Sequence, residues 1–485
     1  MKKTENHQSF ASYGVNQEIK KALHLLGYDT PTLVQQIVLA EKTGKEDLCV
    51  KAKTGSGKTA AFGIMLCEEA DWEENRPQSL VIVPTRELAL QVGEELGLIG
   101  KFKRLKTAVV FGKMSIAAQE LALKQKTHIV VGTPGRVLDL IERGSLKLDQ
   151  IRTVVIDEAD EMFFIGLREQ VESILSKIPT KHRTMLFSAT LEENVVEVAG
   201  KFMKERKELH TLDYEEVPPS IEQSAILVSE AKKTELLSFV LIEKNPDSCI
   251  IFANTQAAID EIYTGMKKKG YPCRKIHGGM RQKERLQVME QFKRKQFRYL
   301  VASDVAARGI DIKEVSLVIN YDLAKGPENY IHRIGRTGRN GVTGEAVTFY
   351  NDREVRRLQE IETVTGNQIQ RVEFDYGQDL SVKQQQFEEK LGQKQKAEAK
   401  KGTALEREIT KIHINAGKKS KIRTCEIVAS ICGIEGVVAE DIGVIEIIEN
   451  ATFVEILNRK GNLVLKELPK KTIKGRNRKV NRARE

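Results

Sequence analysis

Residues 52–59, AKTGSGKT, place two glycines, a lysine and a hydroxyl residue between an apolar run and a helical pattern. Glycine lets the backbone turn so that successive N–H groups point inward at a phosphate. Lys58 supplies a cation for the β- and γ-phosphates, and the Thr59 hydroxyl is a ligand for Mg²⁺. The segment predicts a loop that binds the phosphates of a nucleoside triphosphate. Its predicted contact residues are Thr54, Gly55, Ser56, Gly57, Lys58 and Thr59.

A second segment, VVIDEAD at 154–160, is an apolar run that ends in acids. Asp157, at the predicted strand end, would hold Mg²⁺ through water, and Glu158 would orient or activate the attacking water. These acids could instead be ordinary surface charge. Their position directly after an apolar run, in a chain that also has a phosphate-binding loop, favours a role in hydrolysis.

The elements that must position these residues alternate between short apolar runs and longer helical patterns such as 86–97 and 167–177. The runs are continuously apolar, which is typical of strands covered on both faces of a parallel sheet. Strand, helix, strand in succession predicts a doubly wound α/β fold. The predicted strands are 47–52, 79–84, 107–111, 128–132, 153–157, 184–188, 248–253, 298–302, 315–319 and 345–350.

The alternation stops at 211–220, TLDYEEVPPS, and then restarts. This predicts an N-terminal lobe at 1–212 and a second lobe at 219–374. Residues 375–402 are polar and rich in Gln, Lys and Glu, which favours a solvated helix or tether. Residues 403–485 show the order βαββαβ, ending in a strand over 472–480, as in the sheets of RNA-recognition motifs. The expected fold is two tandem parallel-sheet lobes plus a βαββαβ domain.

Charge is concentrated at one end of the chain, whose net charge is +10. Residues 466–485 contain nine Lys or Arg and two Glu, or +7, which leaves +3 for the other 465 residues. Such a footprint is compatible with nucleic acid. No apolar run approaches the ~18 residues of a membrane span, and none follows the N-terminal lysines. We therefore expect a cytoplasmic protein with no membrane partner.

Several further motifs resemble those of the DEAD-box RNA helicase family over about residues 10 to 350. The resemblance implies two RecA-like lobes, ATP and Mg²⁺ as cofactors, and RNA-stimulated ATP hydrolysis that locally unwinds short RNA duplexes. Phe10, Tyr28 and Gln35, with TPT at 30–32, resemble the family's Q motif. Gln35 would then recognise the adenine edge, because an amide both donates and accepts, and Tyr28 would stack on the base.

The same resemblance assigns roles to the remaining motifs. The RNA contacts would come from PTREL, TPGR and HGGMRQKER and from two further positions, Gly112 and Ser303. The predicted contact residues are Arg86, Gly112, Thr133, Arg136, Gln282, Arg285 and Ser303. The residues that couple nucleotide state to lobe closure would be Ser188, Thr190 and His332. The second lobe's nucleotide contacts would be Gly309, Asp311 and the arginine fingers Arg336 and Arg339. The sequence departs from the family pattern at Lys113, where a second glycine is usual.

The C-terminal domain resembles that of the DbpA/YxiN type of bacterial DEAD-box protein. This implies binding to a hairpin of 23S ribosomal RNA on pre-50S particles during large-subunit assembly, with no DNA expected. Phe453 is nearly alone on its strand, with His413 as its only possible companion, which argues against base stacking on the sheet. The favoured surface is basic and consists of the C-terminal tail together with Lys418, Lys419, Lys421 and Arg423. The alternative is that the charged tail is only solvated. Two other functions stay open, an ATP-independent RNA chaperone and a DNA translocase.

Overall fold

A computed structural model describes residues 9–52, 55–179, 181–203, 205–211, 221–304, 315–338, 343–374, 379–393 and 403–483. Two compact units account for the tertiary contacts. One unit contains residues 1–212 together with 400–485, and the other contains residues 213–399. Among the helices of these described ranges, none combines the length and apolar character needed to span a membrane.

The first lobe is built on a parallel sheet of seven strands in the order β3-β4-β2-β5-β6-β1-β7. Its strands are β1 Asp47–Lys51, β2 Ser79–Ile82, β3 Thr107–Val110, β4 Ile129–Gly132, β5 Thr153–Ile156, β6 Arg183–Ser188 and β7 Arg206–His210. Its helices are α1 Gln17–Leu25, α2 Leu33–Ala40, α3 Lys58–Glu69, α4 Arg86–Ile99, α5 Ile116–Leu123, α6 Pro134–Glu142, α7 Ala159–Phe164, α8 Arg168–Lys177 and α9 Glu193–Phe202. The six predicted strands are confirmed. Strand β7 was missed because it is an edge strand with a charged sequence, RKELH.

The second lobe repeats this design with a parallel sheet in the order β10-β11-β9-β12-β13-β8-β14. Its strands are β8 Ile221–Leu227, β9 Cys249–Phe252, β10 Cys273–Ile276, β11 Tyr299–Ala302, β12 Leu317–Asn320, β13 Gly344–Tyr350 and β14 Gln370–Val372. Its helices are α10 Lys233–Lys244, α11 Gln256–Lys268, α12 Gln282–Lys293, α13 Pro327–Ile334, α14 Val355–Thr365 and α15 Ser381–Gly392. The predicted doubly wound α/β fold is confirmed for both lobes.

Helix α15 lies within the segment 375–402, which was interpreted as a solvated helix or tether. That interpretation is incomplete, because Phe387 of this helix is buried at 2% exposure in the core of the second lobe. Its ring meets the ring of Tyr271 edge-on at 5.3 Å. The Arg298 guanidinium donates to the Lys390 carbonyl at 2.6 Å. A buried aromatic residue, the partly buried Leu391 and a hydrogen bond from Arg298 therefore anchor a mainly polar helix to the second lobe.

The C-terminal domain is an antiparallel sheet in the order β16-β17-β15-β20, covered on one face by two helices. Its elements are α16 Thr403–Glu408, β15 Thr410–Ile414, α17 Thr424–Cys432, β16 Ile442–Ile447, β17 Thr452–Ile456, α18 Gly461–Glu467, β18 Thr472–Ile473, β19 Arg476–Asn477 and β20 Val480–Arg482. The βαββαβ order is confirmed. The predicted strand at 472–480 is wrong in detail: left-handed Lys474 and Gly475, at φ 54° and 69°, turn it into a hairpin before β20.

Candidate active site and RNA contacts

The strand order of the first sheet divides the predicted site residues into two groups. All strands are parallel, so the loops that carry these residues follow their carboxyl ends at one edge. The phosphate loop, the acids and the coupling motif follow β1, β5 and β6, which are neighbours. The predicted RNA contacts follow β3, β4 and β2, which are also neighbours. The predicted nucleotide contacts and the predicted RNA contacts of the first lobe thus lie on separate halves of the sheet edge.

The phosphate loop needs its glycines. Gly55 and Gly57 have φ of 86° and 99°, a conformation that side chains rarely adopt. A Cβ on Gly57 would also lie 2.6 Å from the Gln35 amide nitrogen. Within the described part of the chain, the buried Ser56 hydroxyl has no hydrogen-bond partner, which fits a ligand oxygen as its partner. Thr54 lies outside the described residues.

Lys58 lies among three carboxylates directly behind this loop. Its ammonium is 3.1 Å from the Glu158 carboxylate, and both side chains are nearly buried. Burial alone would lower the pKa of Lys58, but Glu158, Asp157 and Asp160 outweigh it and raise that pKa. Burial, with help from Glu158, raises the pKa of Asp157 to about 7. The cluster therefore holds an excess of negative charge at a buried position.

This excess of carboxylates is the feature that fits Mg²⁺. One lysine faces three acids, and a divalent cation would offset the remaining repulsion. The two predicted ligands, Thr59 and Asp157, offer a hydroxyl and a carboxylate oxygen, and Mg²⁺ prefers oxygen ligands while keeping several of its waters. The donor set and its charge are consistent with a hydrated Mg²⁺ beside a phosphate.

Asp160 joins the acidic motif to the coupling motif, a role that the sequence did not assign to it. Its carboxylate accepts from the backbone N–H of Ala189 at 3.1 Å and of Thr190 at 3.0 Å. It also accepts from the Thr190 hydroxyl at 3.2 Å, and the Asp160 N–H donates to the Ser188 hydroxyl at 3.2 Å. A displacement of Asp160 would therefore change the hydrogen bonds of residues 188–190 directly.

Gln35 and Tyr28, the residues predicted to contact adenine, form hydrogen bonds to other protein groups in this structure. The Gln35 oxygen accepts from the Thr32 N–H at 2.9 Å, and its nitrogen donates to the Gly57 carbonyl at 3.3 Å. The Thr32 hydroxyl donates to the Ser56 carbonyl at 2.9 Å. Tyr28 donates to Glu95 of α4 at 2.6 Å. Gln35 is thus bonded to the phosphate loop, and base recognition by Gln35 or Tyr28 stays a prediction.

The predicted RNA contacts of the first lobe are grouped around the loop after β3. A Cβ on Gly112 would lie 3.5 Å from the guanidinium of Arg86. Arg136 donates to the Met114 carbonyl at 3.3 Å and to the Gln119 side chain at 3.0 Å. Thr133 precedes α6 at its N-terminus. The structure therefore brings Arg86, Gly112, Thr133 and Arg136 to one part of the sheet edge.

The second lobe presents its own set at the ends of β10 and β11. Gln282 begins α12 and is buried, and Arg285 lies one turn later. The Ser303 N–H donates to the Ile276 carbonyl at 3.2 Å, which ties the loop after β11 to the end of β10. Three further predicted residues, Gly309, Asp311 and Arg339, lie outside the described residues.

No role was predicted for Arg333, the largest fully buried side chain of the described residues. Its guanidinium donates to both carboxylate oxygens of Asp304, at 2.5 and 2.9 Å. It also donates to the Asn254 side chain at 2.7 Å and to the Asp322 carbonyl at 2.6 Å. These partners follow β9, β11 and β12, so Arg333 clamps three loops. The feature of the sequence that could have indicated this role is the polar residue two positions after the end of each of those strands.

His332 of α13 and Arg336, two residues after the end of α13, lie beside this clamp. His332 is half-buried, and Arg336 is buried at 5% exposure. The Arg336 side chain donates to the His332 carbonyl at 3.1 Å. Arg336 is therefore held against the end of α13 in this structure.

The basic segment of the C-terminal domain is a loop held by backbone hydrogen bonds. Lys418, Lys419, Lys421 and Arg423 are all exposed. The N–H groups of Lys418 and Lys419 donate to the carbonyls of Ile448 and Glu449, at 2.9 and 3.0 Å. The loop thus holds four cations on a backbone that is fixed to the neighbouring β16–β17 connection, an arrangement suited to phosphate groups.

Family models match the three parts of the chain. A DEAD/DEAH box helicase model matches residues 32–198, a helicase conserved C-terminal domain model matches 231–341, and a DbpA RNA binding domain model matches 411–482. The ATP-dependent RNA helicase DbpA of Bacillus subtilis (strain 168) is 49% identical over 474 residues, which cover 98% of this chain and 99% of that protein. The chain belongs to the DEAD-box ATP-dependent RNA helicases of the DbpA type.

Other relatives match about three quarters to four fifths of the chain. The DEAD-box helicase CshA of Geobacillus kaustophilus is 42% identical over 364 residues, covering 75% of this chain and 78% of its own. A structure of S. cerevisiae Dbp5 bound to RNA and ADP BeF3 has a TM-score of 0.70 at 30% identity, covering 79% of this helicase and 99% of that chain. A structure of Mss116p bound to ssRNA and AMP-PNP has a TM-score of 0.68 at 28% identity, covering 81% and 84%.

Family membership establishes that this helicase uses ATP to act on RNA and carries an RNA-binding domain at its C-terminus. The departure at Lys113 is now visible in the backbone. Lys113 has φ 61°, the left-handed conformation for which glycine is suited. This helicase therefore keeps the loop shape while placing an exposed cation beside Gly112.

Proposed function

We propose that this helicase is targeted by its C-terminal domain to a hairpin of 23S ribosomal RNA, and that it remodels nearby duplexes on pre-50S particles in the cytoplasm. The observation that carries the targeting is the exposed basic loop at 418–423, in a domain that matches the DbpA RNA-binding model. Contacts to the RNA backbone carry little sequence information. A separate domain is therefore needed to give the motor a preferred substrate.

In the motor, we propose that Lys58 holds the β- and γ-phosphates and that Glu158 orients or activates the attacking water. Thr59 and Asp157 would hold Mg²⁺, Asp157 through water; when bound, the ion neutralises charge that develops on the phosphate oxygens. Gly309 and Asp311 would contact the nucleotide, and Ser188, Thr190 and His332 would couple its state to the RNA grip. These roles are supported by the charge of the buried cluster and by its hydrogen bonds to residues 188–190.

Arg336 and Arg339 are proposed to bring positive charge to the γ-phosphate during hydrolysis. Such arginines contribute roughly 10³–10⁵ in rate at related phosphoryl-transfer sites. Arg336→Gln and Arg339→Gln should each lower ATP turnover sharply at saturating ATP and RNA while circular dichroism stays unchanged. A correctly folded variant with a loss of less than about tenfold would contradict the assignment.

The RNA grip is proposed to come from Arg86, Gly112, Thr133 and Arg136 in the first lobe, with Gln282, Arg285 and Ser303 in the second. Backbone contacts of this kind carry little sequence information, so RNA of many different sequences should stimulate hydrolysis. DNA is not expected to stimulate hydrolysis. Comparing ATP turnover with RNA and DNA of the same sequence separates this helicase from a DNA translocase, and measurable turnover itself excludes an ATP-independent chaperone.

The targeting is tested with the full chain. ATP turnover is measured with a 23S rRNA transcript and with a 16S rRNA transcript at equal nucleotide concentration. The wild type should prefer the 23S transcript, and the triple variant Lys418→Ala, Lys419→Ala, Lys421→Ala should lose that preference. The matched control replaces three consecutive exposed lysines of the second lobe, Lys267, Lys268 and Lys269, and should keep it. A wild type without preference would rule out the targeting, although the helicase family would stand.

A further inference from the structure

An apolar cluster joins the C-terminal domain to the first lobe, and both belong to one compact unit. The lobe contributes Ala22 of α1 and Phe102, and the C-terminal part contributes Leu405 of α16 and Leu457, which follows β17. Their exposures are 0%, 8%, 1% and 1%. The surrounding partly buried residues are Leu25, Leu26, Leu98 and Ile409. Apolar side chains from both domains are thus removed from water together, which is a favourable contact.

Two polar contacts border this cluster. The Lys101 ammonium lies 2.6 Å from the Glu455 carboxylate, and the Lys21 ammonium donates to the Asn458 side chain at 2.7 Å. Lys21 also lies 4.3 Å above the ring of Phe102. The side chains of Lys101 and Glu455 are only 22% and 13% exposed. The ion pair is therefore partly shielded from water, unlike an ordinary surface pair.

The contact lies on the outer face of the C-terminal sheet. Along β17, Val454 and Ile456 point into the domain core beneath the two helices. Because side chains alternate along a strand, Phe453 and Glu455 point the other way. Lys411 is paired with Glu455 across β15 and β17. The face that lacks the domain's own helices is therefore the face that meets the first lobe.

We propose that the outer face of the C-terminal sheet is a docking surface for the first lobe, built to fix the direction in which the targeting domain presents its RNA. The lobe segment 101–106, KFKRLK, is basic, and the sheet face carries two acids, Glu446 and Glu455, beside Lys411, so the acids give this face an excess over that lysine. Burial lowers the pKa of Lys106; Glu446 opposes that lowering, and Lys411, with a smaller effect, adds to it.

Docking leaves the basic loop available, since its four cations remain exposed. An RNA held by that loop is then carried at a fixed place relative to the lobe that contains the phosphate loop and Arg86. A flexible tether would only raise the local RNA concentration, whereas a docked domain also selects its orientation. This consequence rests on the proposed targeting function, but the docking itself does not.

The rival use of the same face is base stacking. Phe453 has His413 at 5.3 Å between ring centroids and the Lys411 ammonium 5.3 Å above its ring. Stacking proteins combine exposed aromatic rings with a positive groove. Here Phe453 is half-buried, and the two glutamates beside it would repel phosphate. The observations therefore favour docking, and stacking becomes an outcome of the test.

The docking test is a charge reversal in the full chain: Lys101→Glu, Glu455→Lys, and both together. Amide hydrogen exchange is followed in peptides that span 17–26 and 452–458. Each single reversal creates a like-charge contact and should accelerate exchange there by about tenfold. The double variant has the wild-type net charge and a restored pair, so protection should return. Unchanged exchange in both single variants, or no recovery in the double, would overturn the docking surface.

A second experiment measures the affinity for the 23S rRNA transcript. It compares the double charge-reversal variant, Phe453→Ala and the basic-loop triple variant with the wild type. The double variant should bind as the wild type does, and Phe453→Ala should change affinity less than about twofold, since stacking on an aromatic contributes far more per base. The loop variant should bind much more weakly. A loss in Phe453→Ala that matches the loop variant would make the sheet an RNA surface and overturn the proposal. A lack of preference for 23S over 16S RNA would instead count only against the targeting.

Discussion

At Lys113 a side chain occupies a backbone conformation suited to glycine. The left-handed conformation costs a residue with a Cβ roughly 1–2 kcal/mol, and glycine gives back roughly 0.5–1 kcal/mol through its greater freedom when unfolded. Lys113→Gly should therefore stabilise the first lobe by about 0.5–1 kcal/mol. Denaturant titration can follow this with the fluorescence of Trp72, the single tryptophan, which lies in the same lobe.

Lys113→Ala separates strain from charge, because alanine keeps the Cβ and removes the ammonium. It should bring no gain in stability. If Lys113 contacts a phosphate, both variants should reduce the salt dependence of RNA binding by about 0.7 in the slope of log K against log salt. Equal stabilities of the glycine and alanine variants would show that the loop is not strained at this position.

At the residue scale, the sequence indicates a role where one local motif contains all the residues concerned. The left-handed φ of Gly57 and the acid beside Lys58 are compatible with the predicted phosphate contacts, which stay a prediction. Gly57 and Lys58 could be interpreted from the loop alone. Arg333 could not, because its partners Asn254, Asp304 and Asp322 come from separate loops that only the sheet order brings together. A buried arginine is stable only when several groups satisfy it at once, and no local pattern reports that.

Among elements, continuous apolar runs identified the central strands of both sheets. The strands that were missed are edge strands or strands of mixed polarity, such as β7 and β10 with the sequences RKELH and CRKI. Their assignment depends on a neighbour to pair with rather than on their own composition. The same reason explains α15, whose single buried aromatic has meaning only against the second lobe.

The residue directly before β4, His128, should make the first lobe sensitive to acid. His128 is buried, with Nδ1 accepting from the Lys106 N–H at 2.8 Å and Nε2 facing the Trp72 carbonyl at 3.2 Å. A carbonyl only accepts, so Nε2 carries the proton and Nδ1 carries none. Burial lowers the pKa of His128 despite these bonds, and a second proton would set two N–H groups against each other.

Because the folded pKa lies below the unfolded value of about 6.5, the unfolded chain binds more protons as pH falls. The stability contributed by His128 is therefore complete above about pH 6.5 and is lost as pH falls through the folded pKa. Denaturant titrations on Trp72 fluorescence between pH 7.5 and 5.5 should show a steeper loss in the wild type than in His128→Asn, which keeps an acceptor but does not titrate. Parallel pH profiles would contradict this origin.

The connection between β15 and α17 depends on the smallness of Gly417. A Cβ there would lie 2.1 Å from the Ile448 carbonyl oxygen and 2.6 Å from the Ala451 nitrogen, both backbone atoms that cannot move aside. Gly417→Ala should destabilise the C-terminal domain by about 1–3 kcal/mol, seen as faster amide exchange in β16 and β17, and should weaken 23S rRNA binding. Gly433→Ala, whose nearest atoms lie at 3.4 Å or more, is the control and should be neutral.

Over the whole molecule, hydrolysis and targeting should be separable because their residues lie in different domains. Glu158→Gln keeps the size of the side chain and leaves Lys58 two carboxylates, so the fold should hold. Removing the group that orients or activates water should slow turnover by roughly 10²–10⁴. Binding to the 23S rRNA transcript without nucleotide should keep the wild-type affinity and the wild-type salt slope.

The basic-loop triple variant should show the opposite pattern. With a saturating unrelated RNA it should hydrolyse ATP at the wild-type rate, because Lys418, Lys419 and Lys421 lie outside the motor. For its binding to 23S rRNA, the slope of log K against log salt should become shallower by up to about 2, since each phosphate contact removed contributes about 0.7. Filter binding at about 50 to 200 mM salt measures the affinity and the salt slope of both variants. If Glu158→Gln lost RNA affinity together with turnover, or if the loop variant kept the full slope, hydrolysis and targeting would share one surface and the division between domains would be wrong.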